Sequence, residues 1–335
     1  MSFQGVNYGD LGVRIGIYAV AKFLAHAQPQ LFLERFASPT VVPANKGLSV
    51  KWRRAVPFAA STDQLVEGVT PSPTGVTYED VSSTLAQYGS WIPFTDVLIE
   101  THEDPNLQIF TQLAAEQAAL TKERILWNVM IAGTNVIYSG SATSRATVQA
   151  PLDLNDIQLA QRALKNALAR PLTKMVSASE KIATQPIAPA YIAIGHTNLE
   201  QDFRALTGFV PRENYSDSTK ILSDHEIGKV QDVRVMLAPH LTYFEGAGSG
   251  TTTGVLFTGA NVDVYPVVFL GQDAFGSTTL KGMDSAKVGI KNPKMAESEA
   301  DPLGQRGFVA WKMWYAAVRL NEAWMIRLEC AATAL

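Results

Sequence analysis

Residues 48–94 read LSVKWRRAVPFAASTDQLVEGVTPSPTGVTYEDVSSTLAQYGSWIPF. Two strand-like runs stand out, Leu48–Phe58 and Val76–Phe94, and a polar tip from about Ser61 to Gly75 joins them. Gly68, Pro71, Pro73 and Gly75 punctuate that tip, as turn chemistry requires. In the first run Val50, Trp52 and Ala55 interleave with Lys51, Arg53 and Arg54, the imperfect alternation of a half-buried strand. A hairpin this long has too few apolar residues at its tip to pack onto its own domain. It must project into solvent or lie on another molecule, and that choice decides what the chain does.

The composition around the hairpin narrows the choice. A chain of 335 residues is long enough for about two domains, and 47% hydrophobic residues supply an ordinary globular core. Only 18% of residues are charged, against about 25% in typical domains, which favours extensive subunit contacts. A net charge of −3 leaves no broad electrostatic footprint for nucleic acid. The single cysteine, Cys330, cannot form an internal disulfide, as expected in a reducing compartment. No apolar stretch reaches the roughly 18–20 residues that span a bilayer. Val13–Ala27 imitates a signal peptide, with Arg14 near its start and Ala25-His26-Ala27 at its end. Lys22 interrupts it and Asp10 cancels the leading charge, so an amphipathic helix or contact arm is expected instead.

C-terminal to the hairpin, Leu107–Ala132 is an unbroken helical pattern, with Asp104 as N-cap, Pro105 at the first position and Gly133 as the stop. Ile109, Leu113, Leu120, Trp127 and Ile131 form one apolar stripe; Leu107, Ala114, Ala118, Ile125 and Val129 form a second. Two stripes predict a helix about 40 Å long that is covered from two sides. A second helix is expected over Leu154–Ala169, capped by Asp153 and stopped by Pro171. Pro186 and Pro189 read as a boundary. Beyond them strands are expected at Tyr191–Ile194, Val230–Leu237 and Val262–Leu270, with a short helix Leu199–Leu206 capped by Asn198 and a mobile loop at Glu245–Gly259. The C-terminal stretch alternates like a strand at Trp311, Met313 and Tyr315, and again at Trp324, Ile326, Leu328 and Cys330.

Catalytic and cofactor signals are weak throughout. No histidine pair has zinc-ligand helical spacing, and His102-Glu103-Asp104 and Asp224-His225-Glu226 are triplets whose neighbours point different ways. Gly246-Ala247-Gly248-Ser249-Gly250 lacks the following helix of a phosphate cradle. Lys51, Arg53 and Arg54 around Trp52 could bind phosphate, but contact with carboxylates of a neighbouring subunit is at least as good a reading. No catalytic, cofactor or metal residue is assigned. Abundant apolar structure with a projecting hairpin is the profile of an assembly subunit.

Several short segments occur in order along the chain: Arg35–Ala37, GLSVKWRRAVP at 47–57, LVEGVTP at 65–71, and Gln87-Tyr88-Gly89 leading to Phe94-Thr95-Asp96. Glu226-Ile227-Gly228, Val264-Tyr265-Pro266 through Gly271, DPLGQRG at 301–307 and Trp311-Lys312 follow. In this order and spacing, over about residues 31–330, the chain resembles the major capsid proteins of tailed bacteriophages, particularly the N4-like group. The resemblance implies an α+β, Hong Kong 97-like capsid fold. It implies an N-terminal arm (1–40), an extended hairpin loop (41–95) and a peripheral domain (96–186) with a spine helix at 105–132. An axial domain (187–300) and return strands of the peripheral domain (301–335) complete it. The implied role is a structural shell of hexamers and pentamers enclosing double-stranded DNA in the virion, assembled in the host cytoplasm. The implied partners are further copies of the chain, a separate scaffolding protein, a portal and possible decoration proteins, and DNA bound without sequence specificity. Lys51, Trp52, Arg53, Arg54, Leu65, Glu67, Gly68 and Pro71 are then the candidate intersubunit contacts. No cofactor and no covalent cross-link pair is assigned. The alternatives are a cargo-enclosing bacterial nanocompartment shell, which would share the fold, and a soluble metal-dependent enzyme.

Overall fold

A computed structural model describes residues 32–62, 64, 67, 68, 70, 72–101, 106–177, 183–215, 221–250, 253–282, 286–294 and 301–334. Residues 1–31 of the arm expected over residues 1–40, the Asp104 cap and the His102-Glu103-Asp104 triplet lie outside them. In chain order the strands begin with β1 (Ser38–Val42), the hairpin strands β2 (Ser49–Ala55) and β3 (Tyr78–Thr84), and β4 (Ala86–Thr95). Helices α1 (Asp96–Thr101) and α2 (Asn106–Ile131) follow, then β5 (Val136–Tyr138), α3 (Leu154–Asn166), β6 (Leu172–Ser177) and β7 (Ala183–Gly195). Next come α4 (Glu200–Ala205), β8 (Phe209–Pro211), β9 (Glu226–Val230), β10 (Val233–Leu237), β11 (Phe257–Thr258) and β12 (Asn261–Val262). The last are β13 (Tyr265–Leu270), β14 (Phe275–Leu280), β15 (Lys287–Lys291), β16 (Arg306–Arg319) and β17 (Met325–Cys330).

Two mixed sheets carry the fold. In the first, β16 is the central beam. Along one edge it pairs with β4, from Arg306↔Thr95 to Tyr315↔Ala86. Its other edge takes β15 at Phe308–Lys312 and β14 at Tyr315–Arg319, and β1 runs parallel outside β14. The second sheet has the order β5-β17-β13-β7-β10-β9-β8, with β6 pairing the first part of β7.

The spine helix α2 matches its expected span and bridges the sheets. Its first half buries Phe110, Ala114, Ala115 and Ala118 against Val309, Trp311 and Met313 of β16. Its second half buries Leu126, Trp127 and Met130 with Ile192, Ile194 and Val268 of the second sheet. The two-sided cover expected from the stripes fails at Ile109, Leu113 and Leu120, which are 41%, 50% and 41% exposed. The other face of the second sheet packs on α3 through Ile157, Ala160 and Leu164.

Other departures have local causes. The run Val76–Phe94 is not one hairpin strand: it breaks at Leu85, which is buried, and only Tyr78–Thr84 returns along β2. Pro186 and Pro189 mark no boundary but lie within β7, where pairing with β6 begins to give way to the central ladder. The strand expected at Val230–Leu237 begins only at Val233: Val230 ends β9, and Gln231 at φ +51° turns the chain into β10. His196, not Asn198, caps the turn before α4, its Nδ1 accepting from the Asn198 amide at 3.1 Å. The glycine-rich segment is tied down: the Gly246 amide donates to Asp263 Oδ1 at 2.7 Å and the Gly248 amide to the Val262 carbonyl at 2.9 Å.

The strand pairing also crosses the expected domain limits. β14 and β15 leave the 187–300 segment for the first sheet, and β17 leaves the 301–335 segment for the second. Long-range strand exchange of this kind interlocks the two sheets.

Where β16 meets β4 there is no room for a side chain at Gly307. A Cβ there would sit 2.2 Å from Phe94 Cε2 and 2.7 Å from the Lys291 carbonyl. Gly307→Val is expected to destabilise the subunit by about 1–3 kcal/mol or more through overpacking, read as a lower urea midpoint at unchanged m-value.

Candidate assembly surfaces

The hairpin stands on a small apolar root. Val42, Leu85 and Ala316 are buried there, with Val50, Leu280 and Trp314 packed around them. Leu85 alone separates β3 from β4, so the hairpin's direction is set by strands already locked into the first sheet. Beyond the root the two strands are largely exposed on both faces.

Cross-strand ion pairs stiffen it. The register sets Arg53 opposite Asp80 and Arg54 opposite Glu79. Arg53 Nε donates to Asp80 Oδ1 at 2.8 Å, Lys51 Nζ to Asp80 Oδ2 at 3.1 Å, and Arg54 Nε to Glu79 Oε2 at 2.7 Å. Arg53 also lies over the Tyr78 ring, 5.5 Å from its centroid. Trp52 is half-buried and its Nε1 donates to Thr40 Oγ1 at 3.2 Å. The strand residues among the candidate contacts thus have partners within their own subunit. Glu67 and Gly68 sit exposed in a turn, Gly68 at φ +80°, while Leu65 and Pro71 lie outside the described residues.

The sequence pattern understated the exposed apolar surface. Phe58, Val76 and Tyr78 on the hairpin are exposed, and Trp91 of β4 is 62% exposed against the edge of Phe308. The legible signal for Trp91 was its place out of phase with Ile92 and Phe94, whose alternation points at α2.

The chemical candidates are taken up by structure. Glu226 is buried, accepting from the Leu222 amide at 2.8 Å and the Tyr215 hydroxyl at 2.9 Å, with Arg234 at 3.4 Å. His225 instead packs its ring on Phe32. Among the described residues, no group of three or more His, Cys, Asp or Glu side chains is arranged to hold a metal ion. Cys330 is fully buried, and burial pushes its thiol pKa well up, away from thiolate chemistry.

The hydrogen bond from Arg53, then that from Lys51, holds the exposed Asp80 carboxyl down at about 2. A depressed carboxylate stabilises above its unfolded value of about 4 and loses that contribution as pH falls through the folded value. A carbon-13 titration of the Asp80 carboxyl should therefore inflect near 2, and Arg53→Leu should move the inflection up. An inflection already near the ordinary value, about 4, in the native chain would show that the clamp does not form.

Comparison with known proteins bears on these surfaces together. Residues 78–328 match the family model described as phage capsid protein. The major capsid protein of Pseudomonas phage KPP21 is 22% identical over 265 residues, 74% of this chain and 66% of that protein, just under two thirds. Among solved structures, the capsid of Ralstonia phage GP4 superposes with a TM-score of 0.66 at 12% identity over 99% of each chain. The head structure of Helicobacter pylori bacteriophage KHP40 gives 0.64 at 12% identity, over 99% of this chain and 98% of that one. The structural likeness shows the α+β, Hong Kong 97-like capsid fold expected from sequence. The family match covers most of the chain: it belongs to the phage capsid protein family.

Proposed function

We propose that this chain builds an icosahedral phage head as hexamers and pentamers around double-stranded DNA, with the hairpin as its main reach toward a neighbour. The observation that carries the reading is a hairpin exposed along both strands yet clamped by its own ion pairs. Such an element is stiff without being packed, which suits a surface waiting for a second subunit. Head-to-tail contacts of this kind close into rings when the rotation allows it. Obligate interfaces bury about 2,000–5,000 Å², and the exposed Phe58, Val76, Tyr78 and Trp91 supply apolar area for one.

The place of the finished protein is the virion, with assembly in the host cytoplasm. A separate scaffolding protein, a portal and a decoration protein are its proposed partners besides further copies of itself. DNA is held without sequence readout, since packaged DNA brings its own counterions. The peripheral and axial domains correspond to the two sheets, the hairpin and α2 belonging to the peripheral one. The role is structural and not enzymatic. No observation favours the nanocompartment or the metal-enzyme reading.

Replacing residues 64–74 by a short turn should leave the circular dichroism and melting of the subunit unchanged and abolish shells in negative-stain micrographs. Normal shells from that variant would remove the hairpin from the intersubunit contact. A monodisperse monomer under every assembly condition tried with the native chain would sink the shell reading itself.

A further inference from the structure

His196 stands where the chain leaves β7, and only 9% of it is exposed. Its ring is held from both sides. Nδ1 accepts from the Asn198 amide at 3.1 Å, capping the turn before α4. The ring also bonds to the Pro239 carbonyl, in the loop that follows β10. A nitrogen that accepts carries no proton, so Nε2 is the donor to that carbonyl and the imidazole is neutral. Tyr243 and Tyr265 pack against it, their ring centroids 5.2 and 5.7 Å away.

The loop that His196 grips is a joint between the second sheet and α2. The Ala238 amide donates to the Gly195 carbonyl at 3.1 Å, and Leu241 is buried with Trp127 and Ile194. The Thr242 carbonyl accepts from Trp127 Nε1 of α2 at 2.9 Å. His240 turns Nε2 toward Oε2 of the buried Glu123 at 3.8 Å, beyond hydrogen-bond reach. Oε1 of the same carboxylate holds the Phe32 and Leu33 amides, and the Phe32 ring packs on His225 and His240. One loop therefore touches the end of β7, the spine helix and the place where Phe32 and Leu33 are anchored on that helix.

The two histidines of this joint respond to a proton in opposite ways. A charge on His240 faces the Glu123 carboxylate. A charge on His196 faces the two phenols, the Asn198 amide and His240 itself, and among the described residues no carboxylate pairs with it. On α4, Glu200 is taken by Arg204 at 2.8 Å. Burial holds the His196 pKa below the ordinary histidine value; the Pro239 bond opposes that shift and His240 adds to it. A histidine lowered in this way stabilises fully above its unfolded value of about 6.5 and loses the contribution as pH falls through the folded value. Protonating Nδ1 also sets a second donor against the Asn198 amide, so the cap is lost as the charge arrives.

We propose that His196 is an acid-sensitive pin: its protonation releases the 238–243 loop from the end of β7 and loosens α2, with the Phe32–Leu33 anchor, from the second sheet. The device belongs to the single subunit and does not rest on the shell reading.

Nitrogen-15 and proton spectra of the full-length chain, taken from about pH 7.5 to about pH 4.5, test the pin. At the upper end His196 should show the Nε2–H tautomer. As its ring titrates, hydrogen-exchange protection of the Asn198 amide, the Trp127 indole N–H and the Phe32 and Leu33 amides should fall together, by about ten-fold or more after correction for intrinsic rates. His196→Asn keeps a capping oxygen and removes the titration. Its protection should be lower throughout, because the Pro239 bond is missing, but level across the same range. Full protection of the native chain at the lower end overturns the proposal. An equal pH-dependent loss in His196→Asn also overturns it, since the trigger is then another group. So does a loss confined to Asn198, which would be a cap opening without moving the loop. If His196→Asn does not fold, the native spectra decide alone: a ring that stays neutral while Trp127 and Phe32 lose protection removes the pin, and one that titrates in step with them supports it.

Discussion

The close approach of α2 to β16 is the constraint on which the remaining structure depends. Ala114, Ala115 and Ala118 present a nearly smooth helix face, so Trp311 and Met313 can lie against the helix backbone with Phe110 and Phe94 filling the end. Gln117 adds a directional tie, its Oε1 accepting from Trp311 Nε1 at 2.9 Å. With the helix held there, its second half is carried over the other sheet, where Trp127 donates to the Thr242 carbonyl at 2.9 Å. The helix thus bridges two sheets whose strands also interleave along the chain.

Buried carboxylates act at the joints between these layers. Glu123 of α2 is fully buried and accepts from the Phe32 and Leu33 amides at 2.7 and 3.1 Å, anchoring that backbone on the helix. Glu329 of β17 is likewise buried, held by both Arg145 nitrogens at 2.9 and 2.7 Å and by Arg327 Nε at 2.8 Å. Arg327 reaches on to the Ile131 carbonyl at the end of α2. A buried charge of this sort is costly to orphan and adds specificity of arrangement more than net stability. These pairs therefore fix how the layers sit, while the apolar clusters supply the driving force.

Stiffness at the root and exposure beyond it give the assembly reading its physical sense. The apolar root at Leu85 aims the hairpin, the Asp80 and Glu79 pairs keep it straight, and the exposed tip carries charge and turn residues. An element aimed by one subunit and completed by another makes association directional.

Much of this was legible in the residues. The unbroken pattern from Leu107 gave α2, alternation at Trp311, Met313 and Tyr315 gave the inward face of β16, and the ordered short motifs pointed to the capsid fold. Local pattern could not say that β17 would be buried on both faces, because Arg327 and Glu329 look solvent-facing until Arg145, distant in sequence, arrives to pair with them. It could not divide Val76–Phe94 at Leu85, because both halves are good strands and only the partner strand differs. Nor could it tell which stripe of α2 is covered, since apolar spacing records a face and not its neighbour. Sequence by itself determined the long helix, the inward alternation of β16 and the presence of the hairpin, all of which follow from short-range sterics and side-chain polarity. Only the tertiary structure decided which strands pair, which charges are neutralised and which faces stay open, because those depend on groups brought together from distant parts of the chain.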